Sequence, residues 1–272
     1  MKDILVRSLT GVVFIALIIV GLTWNVWSAI AVMGLFVGLG LAEFYRIFQK
    51  ENEGPERFTG ITGGVLLFSG LCLTWLSWAD QRIIWIPAVL GALPFVVMIT
   101  ELFRSKNNPI QNVSLSLFSW FYIVLPLFVL ILLRGKANFP FEAIFPIGML
   151  LIVWTNDTFA FLSGKFFGKT PLFPRLSPKK TWEGTVGGLL FSLLAGYLIS
   201  YFSGLDLTFW LIAALIVAPA AIIGDLFESM MKRSLNIKDS GNILPGHGGI
   251  LDRFDATFFA APLFLILHFI YF

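Results

Sequence analysis

"DRFDATFFAAPLFLILHFIYF", Asp252 to Phe272, sets two aspartates and an arginine against seventeen residues, Ala256–Phe272, that hold no Asp, Glu, Lys or Arg. A spanning helix needs about 20 mostly apolar residues, so a run starting at Phe254 is long enough to cross a hydrocarbon layer. Working outward from Phe254–Phe272, eight further runs have this character: Ile4–Leu22, Val26–Phe48, Ile61–Ala79, Ile83–Phe103, Val113–Leu133, Ile144–Phe167, Val186–Phe202 and Leu207–Glu228. The 272 residues are 57% hydrophobic and 13% charged, where a soluble domain carries about 25% charged residues. The expected fold is an all-α polytopic membrane protein of about nine transmembrane helices. Residues 1–133 supply five of them. Residues 134–272 supply four, with the two longest polar connections, near 168–184 and 229–253. Only Ser-Gly-Leu-Asp separates the seventh run from the eighth, so these form a tight helical hairpin.

Lysine and arginine orient such a chain, because they concentrate on the cytoplasmic side. With a cytoplasmic N-terminus, sixteen of them fall inside and only Arg82, Arg134 and Lys136 outside. The C-terminus is then outside, and the protein is expected in the cell membrane (the inner membrane, where a cell has two). Lys2 and Arg7 precede the first run, and Ala29-Ile30-Ala31 resembles a signal-peptide cleavage site. That triplet lies inside the next apolar run, and counting the first run as a span gives a consistent topology. The single cysteine, Cys72, excludes an intramolecular disulfide and a cysteine-cluster metal site. Nine Trp and five Tyr suit interfacial belts. No nucleic-acid partner is expected.

A carboxylate inside a bilayer costs at least about 2.5 kcal/mol, so it marks a functional candidate and should have a partner. Four places stand out, all in the second half of the chain. The first is Asn156 and Asp157, well inside the sixth run, with Lys165 two helical turns on. A plain fastening pair between helices is the alternative. The second, "GKFFGKT", Gly164 to Thr170, looks like a phosphate-binding P-loop, but Ser163 stands where the first glycine belongs and the flanking element is a membrane helix rather than a strand. The P-loop is rejected; Lys165 and Lys169 can still reach a phosphate. The third, "RLSPKKTWEG", Arg175 to Gly184, offers Ser177, Lys179 and Lys180. Pro178 breaks any helix there, Thr181 is placed to cap the next one, and Glu183 falls in its first turn. An ordinary basic loop beside anionic lipid is the competing reading.

The fourth runs from Gly224 to Asp255. Asp225, Ser229 and Lys232 are spaced to share one helix face. Asp252 and Asp255, three apart, share another. Carboxylates gathered at one depth repel unless a cation sits among them, and oxygen ligands suit Mg²⁺ or another hard cation. His247, with no second histidine or cysteine nearby, is a weak zinc signal and a better hydrogen-bond donor to phosphate. The competing reading is a buried salt-bridge network of these aspartates with Arg253 and Lys232. Taken together, metal-binding aspartates and many cations on one side of a membrane fit phosphoryl or nucleotidyl transfer to a lipid, in which the protein positions groups and neutralises charge. A lipid phosphate has a second pKa of about 6, so it can attack without a strong base.

"SMMKRSLNIKDSGNILPGHGGILDRFD", Ser229 to Asp255, resembles the signature of the phosphatidate cytidylyltransferase (CDP-diacylglycerol synthase) family. Its fixed positions are met by Ser229, Lys232, Arg233, Lys238, Asp239, His247-Gly248-Gly249, Asp252-Arg253 and Asp255. The "SPKKTWEG" loop and the Asp157 segment are also similar, whereas the first five spans match only as a generic bundle. The resemblance implies that CTP and phosphatidic acid react to CDP-diacylglycerol and pyrophosphate, with Mg²⁺ and with a second cation left open. It implies Asp225 and Asp252 as metal ligands, with Asp255 as a further ligand or a supporting group. Lys232, Arg233 and Arg253 would hold phosphates or balance carboxylates. Lys238, His247, Lys179 and Lys180 would contact the triphosphate or the lipid phosphate. Asn156 with Asp157 would orient substrate, and Lys165, Lys169, Ser177, Thr181, Glu183, Ser229 and Asp239 join the substrate-binding candidates. Catalysis then belongs to residues 134–272, facing the cytoplasm among membrane lipids, and family habit points to a homodimer. A CTP-dependent polyprenol or phytol kinase would release CDP rather than pyrophosphate. An ion-coupled transporter would use Asp157 and Asp225 as relays, but it commonly shows repeated halves, and the charges here crowd one end of the chain.

Overall fold

Lipid offers no hydrogen bonds, so an apolar run that enters it must satisfy its own backbone, and a helix does so within the segment. The computed structural model describes residues 2–49, 54–77, 85–136, 143–241, 243 and 248–272, with side chains from Leu9 onward. Among these residues, eight helices are long and apolar enough to cross a membrane. They are α2 (Val26–Phe48), α3 (Arg57–Leu76), α4 (Ile86–Arg104), the continuous α5–α6 rod (Pro109–Arg134), α7 (Ile144–Phe167), α8 (Trp182–Ser203), α9 (Leu207–Ser234) and α10 (Leu251–Tyr271). The first run forms α1 (Lys2–Trp24), whose described apolar stretch, Leu9–Trp24, is shorter. The protein is thus a multi-pass helical membrane protein, and among the described residues each run expected from sequence is built on a helix.

Contacts divide the chain into two compact units, Met1–Asn138 with Asp239–Asp252, and Phe139–Lys238 with Arg253–Phe272. In the first unit, α1 passes to α2 through a reciprocal cap. Asn25 Oδ1 accepts from Ser28 N at 2.8 Å, and Ser28 Oγ accepts from Asn25 N at 3.0 Å. The α5–α6 rod, α5 (Pro109–Ser119) and α6 (Leu125–Arg134), is interrupted by a π turn, Trp120–Val124, in which Leu125 N donates to Trp120 O. Pro126 lies just beyond. It has no N–H for the ordinary i–4 bond, and the wider turn keeps the rod continuous across it.

The four places singled out from sequence lie in the second half, but the first unit buries charged groups as well. Glu43, Glu101 and Arg134, all in the first unit, are buried. Glu101 is matched by Asn112 Nδ2 and Arg104 Nη1, each at 2.6 Å, and Arg134 Nε donates to Leu22 O at 3.1 Å. The composition of these runs hides such residues because one charge among twenty apolar neighbours barely alters a span's hydropathy.

The second unit is built on close helix packing. A Cβ at Gly184 would meet Ala160 O at 2.7 Å, so α7 and α8 approach backbone to backbone, as small residues allow in lipid. The α8–α9 hairpin is as tight as expected. Gly204 takes φ +70°, a left-handed value open to glycine, and Asp206 Oδ1 caps α9 by accepting from Phe209 N at 2.9 Å. Tyr271 Oη donates to the same oxygen at 2.6 Å. The Tyr271 hydroxyl first, then the Phe209 N–H, hold the Asp206 carboxyl below its ordinary range. At that end the rings of Phe145, Phe209, Phe269 and Phe272 pack against His268, with Phe145 and His268 ring centroids 4.5 Å apart. His268 therefore packs as an aromatic ring.

Candidate active site

Between α7 and α8 the chain forms a two-stranded antiparallel hairpin, β1 (Pro171–Phe173) and β2 (Ser177–Thr181). Its base is closed by the first turn of α8. Glu183 accepts from Lys169 N at 3.1 Å and from Thr170 N at 3.2 Å, and Trp182 N donates to Thr170 O at 3.0 Å. Thr181 Oγ1 caps α8 by accepting from Gly184 N at 3.1 Å, the role its position in the sequence suggests. Thr181 and Glu183 thus place the hairpin, while Lys169, Arg175 and Lys179 on it are exposed and Ser177 is half-buried. Glu183→Ala is expected to lower kcat/KM for the nucleotide by about 10- to 100-fold, the usual penalty for a misplaced binding group, with helix content by circular dichroism unchanged. Wild-type kinetics would make the hairpin's position immaterial.

Lys180, on β2, is the side chain the hairpin turns inward. Its Nζ stands 2.5 Å from Asp225 Oδ2 of α9. Ser229 Oγ, one turn along α9, donates to Asp225 Oδ1 at 3.3 Å. Helix α9 continues six residues past the expected end of its apolar run, to Ser234. Glu228, the last residue of the expected run, is a buried carboxylate that accepts from Lys232 Nζ at 2.7 Å. Glu228 is absent from the site residues read from sequence, although its i, i+4 spacing to Lys232 was the available signal. Asp225, Ser229 and Lys232 all lie on α9, with Asp225 paired to Lys180 and Lys232 to Glu228.

Two more carboxylates complete this part of the second unit. Asp157 of α7 is exposed, beside the buried Asn156, whose Nδ2 donates to Asp157 Oδ1 at a long 3.5 Å. Asp157 lies within electrostatic reach of Asp225, Lys180 and Arg253. Asp255 of α10 lies within reach of Glu228, Asp225 and Asp157, and its Oδ1 accepts from Ala256 N at 2.7 Å. Gly224 makes the α9–α10 contact possible, since a Cβ there would strike the Asp255 carbonyl oxygen. Three helices and one strand thus place four carboxylates and two lysines in one part of the second unit, in direct contact as the Lys180–Asp225 and Lys232–Glu228 pairs and otherwise within electrostatic reach. Arg233, Arg253 and Lys165 are exposed at the ends of their helices, and Lys238 is exposed beyond α9. Below Asn156, an apolar cavity of about 490 Å³ runs between α7 and α8, lined by Ile144, Leu151, Thr155, Ala195, Leu198 and Phe202 among others.

The loop 239–252 belongs to the first unit. Asp252 ties it together, because its Oδ2 accepts from Ser240 N at 3.1 Å, Ser240 Oγ at 3.0 Å and Gly249 N at 2.8 Å. Asp239 is exposed. His247, with Leu244–Gly246, lies outside the described residues. Among the described residues, no three His, Cys, Asp or Glu side chains stand together as a ready metal cage.

A multi-span bundle with carboxylates and lysines beneath a basic hairpin, and an apolar cavity beside them, has the groups to handle a phosphate. Residues 5–271 match the cytidylyltransferase family. The chain belongs to that family. It is 36% identical over 237 residues to the phosphatidate cytidylyltransferase of Aquifex aeolicus (strain VF5), covering 86% of this chain and 79% of that one. It is 36% identical over 235 residues to the phosphatidate cytidylyltransferase of Rickettsia bellii (strain RML369-C), covering 82% and 95%. A 119-residue stretch is 50% identical to the enzyme of the same name from Staphylococcus aureus (strain COL), 43% of this chain and 46% of that one.

Proposed function

We propose that this chain is an integral membrane nucleotidyltransferase that makes CDP-diacylglycerol and pyrophosphate from CTP and phosphatidic acid. The observation that carries this reading is the Lys180–Asp225 pair, which fastens a basic hairpin to a cluster of carboxylates inside a membrane bundle. A phosphatidate oxygen, already anionic near neutral pH, attacks the α-phosphorus of CTP. The bond from that phosphorus to the β-phosphate oxygen breaks, and pyrophosphate leaves. No residue needs to remove a proton, which suits a site with no nucleophile–base pair among its described residues.

Lys180 and Lys179 would hold the triphosphate, and Arg233, Lys238 and Arg253 would hold phosphate groups at the helix ends. Ser229 keeps the Asp225 carboxylate oriented. Asn156 and Asp157 would orient the lipid headgroup, with one acyl chain in the apolar cavity that adjoins them through Thr155. The donor set fits Mg²⁺, which commonly takes one or two carboxylates and completes its shell with substrate phosphates and water. Asp225 and Asp255 would supply those carboxylates, and the family resemblance assigns Asp252 to the same task. When bound, the ion would neutralise charge that develops on the departing pyrophosphate. The excess of lysine and arginine on one side supports a cytoplasmic face for the reaction, where CTP is available.

The test is direct. Purified protein in phosphatidic acid–detergent micelles, given CTP and Mg²⁺, is expected to release pyrophosphate and form CDP-diacylglycerol in equal amounts. Release of CDP instead, or no lipid-linked cytidylate, would reject the assignment.

A further inference from the structure

Glu43 is a buried carboxylate of the first unit that the reaction does not account for. Glu43 sits in α2 at 1% exposure, flanked by the fully buried Phe44 and Tyr45. Such a residue in an apolar span persists where it has a partner or a task. Its partner lies far along the chain. Glu43 Oε2 accepts from Leu251 N, the first residue of α10, at 2.9 Å. One turn on, Arg46 Nη2 stands 3.6 Å from Glu43 Oε1 and donates to Ser240 O at 3.3 Å. The loop 239–252 is therefore gripped at both ends by two side chains of α2, while Asp252 binds those ends to each other through Ser240 and Gly249.

Two glycines record the same fit. A Cβ at Gly241 or at Gly249 would collide with the Glu43 carboxylate. Gly249 belongs to the His-Gly-Gly element of the signature, so that glycine is required because a carboxylate from α2 fills the space beside it.

We infer that Glu43 is a positioning residue: acting through Leu251 and the loop, it sets where Asp252 stands within the first unit. The inference rests on the proposed reaction for its kinetic readout and on geometry alone for its spectroscopic one.

The experiment uses the full chain with Cys72→Ala and Ile243→Cys, labelled at 243 with a nitroxide; Ile243 is exposed in the loop. Glu43→Ala should mobilise the label and lower kcat about 10- to 150-fold, the rate equivalent of one lost hydrogen bond to a charged group. KM for phosphatidic acid should move less than about 3-fold, since the loop change falls on the reacting groups and ground-state lipid binding is spared. Glu43→Gln keeps an acceptor for Leu251 N and should recover most of both signals. Gly241→Ala should damage wild type but add little in the Glu43→Ala background, where the space is free, a non-additivity that mere destabilisation does not produce. An immobile label in Glu43→Ala, or additive Gly241→Ala and Glu43→Ala losses, overturns the inference. Should Glu43→Ala fail to insert, Glu43→Gln and Gly241→Ala still decide it: a label as immobile as wild type in Gly241→Ala is the contrary result. If wild type makes no CDP-diacylglycerol, the proposed function fails while the label still reports on the loop.

Discussion

Asp225→Asn is expected to lower kcat by about 100- to 10,000-fold, because a divalent cation supplies several kcal/mol of charge stabilisation and about 1.4 kcal/mol is a factor of ten. The amide keeps the shape and can still accept from Ser229, so the fold should survive. What goes is the negative charge, and with it the partner of Lys180, 2.5 Å away and 27% exposed. A salt bridge that only fastened β2 to α9 would behave differently. Its loss would harm stability, and the double variant Asp225→Asn/Lys180→Met, which removes both charges, would restore most of it. If the pair serves the reaction, the double variant stays as inactive as the worse single one. Steady-state kinetics of the three variants, with a thermal melt of each in detergent, separate the cases. Near-normal turnover in Asp225→Asn would remove Asp225 from the site.

Asp252→Asn should cost about 100- to 1000-fold in kcat, comparable to the loss of one preorganised electrostatic group. The reason has two parts. Asp252 Oδ2 accepts three hydrogen bonds from Ser240 and Gly249. An asparagine turned one way keeps an acceptor there; turned the other way it points an NH₂ at three donors. The loop therefore selects one amide orientation and survives, while the charge is lost. Asp252→Ala removes both and should also loosen the loop. Equal activity for Asn and wild type, with a damaged Ala variant, would make Asp252 a loop fastener and nothing more.

The spans were legible because a twenty-residue apolar run has few alternatives in lipid, and Thr181 was legible because its cap acts within three residues. The Asp225–Ser229 face was legible for the same local reason. Glu228 was hidden because it closes the apolar run Leu207–Glu228, where a carboxylate reads as the solvated end of a span, whereas α9 continues to Ser234 and buries it. The hairpin was hidden because "SPKKT", Ser177 to Thr181, has a proline, two lysines and no apolar alternation. It forms because Glu183 and Trp182 close its base, not from strand propensity. Glu43 was hidden most deeply. Its partner, Leu251, lies 208 positions away, and no periodicity within α2 announces it.

The clamp at the foot of β1 and β2 bears on how nucleotide is captured. A free loop must surrender backbone freedom worth about 1–2 kcal/mol per residue when it closes on a ligand. Here that ordering is already complete, so the lysine arms move with α8 as a lever fixed to its fulcrum. Arrival of CTP should then be limited by diffusion and by the field of those ammonium groups, and its on-rate should fall steeply as ionic strength rises.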